Sequence, residues 1–388
     1  MSTIQTTNIK SAASASNNIV LDASGNAAFA GNVTASGNVT STGMVVPSSS
    51  FLRNRIINGD MRIDQRNGGS SVTPTGAVYT LDRWFLNTNL SSRVSIQRSS
   101  IAPAGFTNSL LVTSLSAYTP VTTDGCAIEQ YVEGFNWSDL GWGTASAQTA
   151  TLSFWVRSSL TGTFSIRFEG GGGRNYVATY TINTPNTYEY KTVTIPGDTS
   201  GTWNTTNGLG VGVWFDLGSG PSFNGSPGAW TSSTIVKTAG STNLISTNGA
   251  TFYLTGVQLE VGTVATPFER RQYGQELSLC QRYAYSWGPG SQWAAATSTG
   301  LYFDANILLM IPFGANLSAM RTLGMVMTTV GTQGTDWAVQ SGGAASQTGF
   351  SVTCNEGVIA ASKTSHGLTS AQLRVLTSSG RIIISAEI

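Results

Sequence analysis

"TFSIRFEG", residues 163–170, decides the fold class. Phe164, Ile166 and Phe168 alternate with Ser165, Arg167 and Glu169, the period of a strand with one buried face. The same beat recurs on both sides. In "TLSFWVR" (151–157), Leu152, Phe154 and Val156 share a face, and in "VGVWFDLG" (211–218) Val211, Val213, Phe215 and Leu217 do so. "TFYLTGVQLEVG" (251–262) sets Phe252 and Leu254 inward, slips phase at Gly256, and resumes with Val257, Leu259 and Val261. A one-residue slip at a glycine predicts a β-bulge. Short strands separated by Gly, Pro, Asn and Ser clusters, with no helical window among them, predict an all-β chain with an antiparallel jelly-roll sandwich over 51–268.

Beyond Pro267 the pattern changes. Tyr273, Leu277, Cys280 and Ala284 fall at helical spacing, which predicts a short linking helix over 269–284. Strand-like runs then return, from "YFDANILLMIPF" to "RIIISAEI", and predict a small C-terminal β-domain over 285–388, distal to the N-terminus.

At the other end, "GNAAFAGNVTASGNVTSTGM" (25–44) returns a glycine every six residues, at 25, 31, 37 and 43. Val33, Val39 and Val45 keep the same interval. Four hexads are too few to close a core within one chain. Three chains side by side would place these valines on a common axis, so the period predicts a homotrimeric β-stalk within an N-terminal segment over 1–50. A flexible Gly/Ser/Asn linker is the alternative, although linkers need no period. Residues 1–20 are polar and aperiodic, and are expected to order only against another protein.

Composition narrows the function classes. Of 388 residues, 40% are hydrophobic and only 10% charged, against roughly 25% in an average soluble protein. A net charge of +1 gives no reason to expect nucleic acid as a partner. No apolar run is long enough to insert in a membrane, and the start lacks the pattern of a secretory signal. Cys126, Cys280 and Cys354 lie far apart and read as buried apolar residues. His366 is the only histidine, so neither a metal centre nor a nucleophile–histidine pair is expected, and no cofactor is. Glu129 and Glu133 sit four apart on one predicted strand. That is about 13 Å at full extension, too far for a paired-carboxylate glycosidase. "EGGGGRN" (169–175) has the glycines of a phosphate loop but no Lys-Ser/Thr after them, and reads as a hairpin loop. No aspartate-rich loop announces calcium.

The stronger chemical signal is aromatic. Trp203, Phe223, Trp230, Trp287, Trp293 and Trp337 all fall in turn-rich sequence, where a ring could stack on the apolar side of a sugar. The competing reading for each is a core-capping residue.

Three blocks carry a family resemblance: "LRNRIINGDMRIDQRN" (52–67), "YTLDRWF" (79–85) and "GVQLEVGTVATPFERRQYGQELSLCQRY" (256–283). They resemble tail-fibre and receptor-binding structural proteins of tailed bacteriophages. The resemblance implies a virion protein, extracellular after lysis, held to a tail or baseplate protein by its N-terminus. It also implies a jelly roll similar to carbohydrate-binding modules, and host surface polysaccharide as partner. It implies no catalytic residue set. A capsid or head fibre, a decoration protein, and a glycan-cleaving tailspike are the alternatives. Arg55, Asp60, Asp64, Asp82, Arg83, Glu260, Glu269 and Arg270 within these blocks read as structural ion pairs or interdomain contacts. "IPF…MR" (311–321) is like a further stretch of the family, but Thr322, Leu323 and Gly324 stand where a proline usually follows.

The trimer has a direct test. Light scattering of the full chain is expected to report about three times 40.6 kDa, and Asp at Val33 and Val39 is expected to weaken the assembly, because each charge would face its copies on an apolar axis. A monomer in the wild type would remove the stalk.

Overall fold

The computed structural model describes residues 53–287 and, outside them, the strands named below. The chain divides into two compact units, Met1–Ser50 and Phe51–Ile388. In the first, β1 (Asn8–Ile9), β2 (Ile19–Leu21) and β3 (Ala27–Phe29) form an antiparallel meander. The apolar Ile9, Ile19, Val20 and Leu21 lie in β1 and β2, paired Asn8 to Val20 and Ile9 to Ile19. Val33, Val39 and Val45 lie outside the described residues.

In the second unit the sandwich runs through eleven strands. They are β4 (Val78–Tyr79), β5 (Phe85–Thr88), β6 (Val94–Ser99), β7 (Ser109–Ser114), β8 (Cys126–Glu133), β9 (Ala150–Ser158), β10 (Gly162–Gly170), β11 (Asn175–Ile182), β12 (Glu189–Ile195), β13 (Leu209–Asp216) and β14 (Thr251–Val261). A six-stranded antiparallel sheet takes the order β11-β10-β13-β8-β5-β4, and a five-stranded one β12-β9-β14-β7-β6. From β8 to β14 the chain passes repeatedly between the sheets, as a double-sheet jelly roll requires. The residues picked out by alternation meet in the middle. Phe164, Ile166, Phe168, Val211, Val213 and Phe215 from one sheet face Leu152, Phe154, Val156, Phe252 and Leu254 from the other, all fully buried. Phe154 packs edge-on against Phe215 with centroids 5.1 Å apart, and so binds the two layers directly.

The phase slip is where the sequence places it. The β14–β9 register shifts between Thr255 and Gln258, and Gly256 takes the left-handed φ of +61°. "EGGGGRN" is the β10–β11 hairpin connection.

Helix α1 spans Tyr273–Gln281, shorter than the expected 269–284 and rotated from its expected face. Tyr273 is exposed, Ala284 already belongs to a strand, and Glu276 is buried with Cys280. The charge of Glu276 is accommodated because it accepts the backbone N–H of Asn58 and pairs with Arg271 at 3.3 Å. Cys126 and Cys280 are buried, as expected.

Nine strands follow: β15 (Ala284–Trp287), β16 (Gln292–Ala294), β17 (Asn306–Pro312), β18 (Val326–Val330), β19 (Trp337–Gln340), β20 (Ser351–Asn355), β21 (Val358–Thr364), β22 (Gln372–Val375) and β23 (Arg381–Ser385). They pair as three antiparallel sheets ordered β15-β23-β18, β16-β22-β19 and β17-β21-β20.

The "RIINGDMRI" loop is pinned by one side chain. Asn58, fully buried at φ +57°, donates from its amide to the carbonyls of Ile63 and Asp82 and accepts the N–H of Ile63. Replacing it by the isosteric Leu leaves three backbone groups without partners, at about 1–3 kcal/mol each when buried. Asn58→Leu is therefore expected to lose at least about 3 kcal/mol in denaturant titration, and wild-type stability would refute this role.

Candidate functional site

Strands whose inner residues fill the core present their alternate residues on the outer face. On the six-stranded sheet this brings Arg167 of β10, Trp214 of β13 and Glu129 of β8 into one row, since Arg167 pairs Trp214 and Trp214 pairs Glu129. Phe85 of β5 continues it beside Glu129. The next row holds Glu169, Gly212 and Tyr131. Trp214, Tyr131, Phe85, Tyr79, Asn87 and Glu169 are half-buried, with one side open.

The charges here are held by short contacts. The Tyr131 hydroxyl donates to Glu129 Oε2 at 2.6 Å, and the Arg167 guanidinium lies 4.1 Å above the Trp214 ring. Arg167 Nε donates to Asn175 Oδ1 at 2.7 Å, and its Nη2 meets Glu169 Oε1 at 3.3 Å. Burial pushes the Glu129 carboxyl up to about 8; hydrogen bonds from Tyr131 and Asn87 oppose this, and the Glu169 charge adds to it. Burial also raises Glu169, with Arg167 opposing. Three polar atoms on this face are buried without a hydrogen-bond partner among the described residues: Trp214 Nε1, Glu169 Oε2 and Glu129 Oε1. They belong to two adjacent rows of the sheet.

The aromatics singled out by sequence fare differently. Trp203 is buried and the half-buried Trp230 packs against the core, which is the core-capping reading of both. With Trp142 they form a cluster of three mutually edge-on rings, centroids 4.8–5.3 Å apart, and Trp137 packs on Trp142 at 4.8 Å. Both indole N–H groups are spent on backbone, Trp203 to the Ser200 carbonyl and Trp230 to that of Pro196. Long loops fold over the end of the sandwich, and these rings seal it. Phe223 is half-buried within a short 3-10 turn whose backbone bonds to Val236 and Lys237. Trp287, Trp293 and Trp337 lie in β15, β16 and β19 rather than in turns, and their side chains are outside the described residues, as is His366.

The carboxylates of the sequence reading separate in role. Both are buried: Glu129, in the outward-facing row, accepts the Tyr131 hydroxyl, and Glu133 is bound by Arg282 at 2.9 Å. Trp214, Tyr131, Arg167 and Glu169 were not singled out as ligand-binding; the signal available was their position as the polar-side partners in the alternating strands. Among the described residues no group of three or more His, Cys, Asp or Glu is placed to hold a metal, and no helix is long and apolar enough to cross a membrane.

No family model matches the chain, and no curated protein matches it in sequence. Solved structures that share part of its shape include the enzymatically active domain of a tailspike protein from bacteriophage CBA120, at 14% identity and TM-score 0.31. That match covers 54% of this chain and 21% of the tailspike chain. A protein of Bacteroides thetaiotaomicron, described as a candidate sugar-binding protein, matches at 10% identity and TM-score 0.34, covering 54% of this chain and all of that one. A family 11 carbohydrate-binding module from Clostridium thermocellum, in complex with a mixed-linked tetrasaccharide, matches at 14% identity and TM-score 0.26. It covers 49% of this chain and 97% of the module. At these TM-scores the likeness carries neither fold nor function, and the sandwich stands on its own strand register.

Glu129 makes the site pH-sensitive in a defined direction. The folded chain keeps this proton up to about pH 8, whereas the unfolded carboxyl gives it up near the ordinary glutamate value of 4.5. Between those values the folded state binds more protons, so stability falls as pH rises. The contribution is complete below pH 4.5 and gone above pH 8, with a slope of at most about 1.4 kcal/mol per pH unit. Glu129→Gln keeps a neutral acceptor for Tyr131, so its melting temperature is expected to fall less than the wild type's between pH 5 and 8. Parallel curves would refute the buried-acid assignment.

Proposed function

We propose that this protein is a non-enzymatic attachment fibre of a tailed bacteriophage. In this reading it is homotrimeric through its six-residue repeat, joined to a tail or baseplate protein by its N-terminus, and its jelly roll binds host-surface glycan on the outer face of the six-stranded sheet. The observation that carries the binding part is the pair of unsatisfied atoms, Trp214 Nε1 and Glu169 Oε2, beside the Tyr131 and Trp214 rings. Sugars need this combination: apolar ring faces for their C–H side, and fixed donors and acceptors for their hydroxyls. The virion placement draws support from the three sequence blocks and the glycine period.

Glycan cleavage is the competing reading, because Glu129 and Glu169 are two carboxyl groups on one face. Burial opposes it. Glu129 is fully buried and its Oε2 is bonded to the Tyr131 hydroxyl, so in this reading it positions Tyr131.

Binding of a panel of neutral oligosaccharides, galactotriose included, by titration calorimetry tests the site. Trp214→Phe retains an aromatic ring but lacks the N–H, and is expected to weaken binding about 3–10-fold at an unchanged melting temperature, the value of one hydrogen bond. Unchanged affinity would overturn the site. Appearance of new reducing ends during incubation with host polysaccharide would overturn the non-enzymatic assignment.

A further inference from the structure

The five-stranded sheet has its own groove, on the opposite side of the sandwich. A cavity of about 620 Å³ is lined by Trp155 and Ser153 of β9, Tyr190 of β12, Phe106, and the segment after β14 that carries Phe268 and Arg270. This volume falls in the range of small-ligand sites, roughly 300–1,000 Å³. Trp155 and Tyr190 are register partners on adjacent strands, their rings 5.4 Å apart and tilted by 49°. Phe106 and Phe268 form an edge-on pair at 5.2 Å on the other side. The floor is the bulge glycine. A Cβ on Gly256 would come within 2.7 Å of Phe106 Cζ and 3.0 Å of Trp155 Cδ1, so the missing side chain is what lets both walls close on the groove.

The groove also carries unbalanced charge. The Arg270 guanidinium sits 4.6 Å from the Phe106 ring and 5.7 Å from Phe268, exposed and in no ion pair among the described residues. Of its two readings, ion pair or interdomain contact, the ion pair is not made among the described residues. The neighbouring carboxylates are committed elsewhere: Glu260 accepts from Thr266 and Gln258, and Glu269 accepts the Asn54 N–H and pairs with Arg271. Two residues along β9, Arg157 lies 4.8 Å above the Tyr253 ring, also outside any ion pair among the described residues. Two cations on aromatic rings beside a Trp–Tyr platform fit a ligand that is both ring-shaped and anionic.

We propose that this groove is a second glycan site, selective for acidic sugars, in which Trp155 and Tyr190 stack against a pyranose ring and Arg270 pairs with its carboxylate. It is separate from the neutral-sugar face around Trp214, so either site can fail without the other.

Trigalacturonate and neutral galactotriose serve as probes for the full-length chain, by titration calorimetry at low and high salt. Wild type is expected to bind trigalacturonate with an affinity that falls as salt rises. Arg270→Gln is expected to lose about tenfold for trigalacturonate with no change for galactotriose, and Arg270→Lys to recover part of the loss. Trp214→Phe should leave trigalacturonate binding intact. Should Trp155→Ala compromise folding, the exposed Tyr190→Ala tests the same platform. No trigalacturonate binding by wild type, equal binding by Arg270→Gln, or equal displacement by polyglutamate would each overturn the acidic-sugar assignment.

Discussion

Strand β14 outruns its neighbour, and much of the second unit is arranged to deal with that. Its pairing with β7 covers only Thr251–Leu254, while its pairing with β9 continues to Val261. From Thr255 onward one edge of a buried central strand would face the interior with open N–H and C=O groups, each costly to leave unmade. The segment at 54–59 fills the gap. Arg55 donates to the Leu259 carbonyl, Val257 to that of Gly59, and the Asn54 side chain both donates to the Val257 carbonyl and accepts the Leu259 N–H. Gly59 is required by this closeness: a Cβ there would lie 2.2 Å from the Val257 oxygen.

The same patch explains why charged residues concentrate in the blocks that carry the family resemblance. Once 54–59 lies along β14, its far side needs partners, and α1 and the segment just before it supply them: Glu276 accepts the Asn58 N–H, and Arg271 donates to the Ile56 carbonyl. Asn58 then reaches Asp82, whose carboxyl burial pushes up to about 6 while it accepts from Gln65. Trp84 donates its indole N–H to the Asn58 carbonyl. Three stretches far apart in sequence form one polar joint. Arg55, Asp60 and Glu269 form ion pairs, Asp64, Asp82 and Glu260 accept hydrogen bonds, and Arg270 lies over aromatic rings.

How much of this could be read from the chain divides along physical lines. Alternation identifies the core strands and the bulge because side-chain direction in a strand is local, fixed by the pleat. The meaning of a loop aromatic is not local. Trp203 and Trp230 have the same Gly, Asn and Ser neighbours that an exposed ring would have. Their burial depends on Trp137 and Trp142 arriving from a different connection, which no short window encodes. The outer sheet faces are intermediate. The sequence marks Ser165, Arg167 and Glu169 as facing away from the core. Only strand order places them beside Trp214, Glu129 and Tyr131. Helix α1 misleads for a related reason: Glu276 reads as a solvent residue until its partners, Arg271 and the Asn58 N–H, come from outside the helix.

A chain with so few charges makes each of them informative. With 20 basic and 19 acidic residues in 388, solubility rests on hydroxyls and amides, and an ion is retained where it has a task. At the β14 joint the task is pairing backbone groups and other charges. On the six-stranded sheet, Arg167 is caught between Trp214 and two carboxyl groups, one of which burial keeps protonated, so that face is close to neutral around pH 7. On the five-stranded sheet, Arg157 and Arg270 lie over aromatic rings with no carboxylate against them among the described residues. A guanidinium over a ring keeps most of its hydrogen-bonding capacity, because the π-face occupies only the flat side of the cation and leaves its in-plane donors directed outward. The two faces of one sandwich thus differ in what they ask of a ligand, and the difference comes from where β14 left its neighbouring carboxylates engaged.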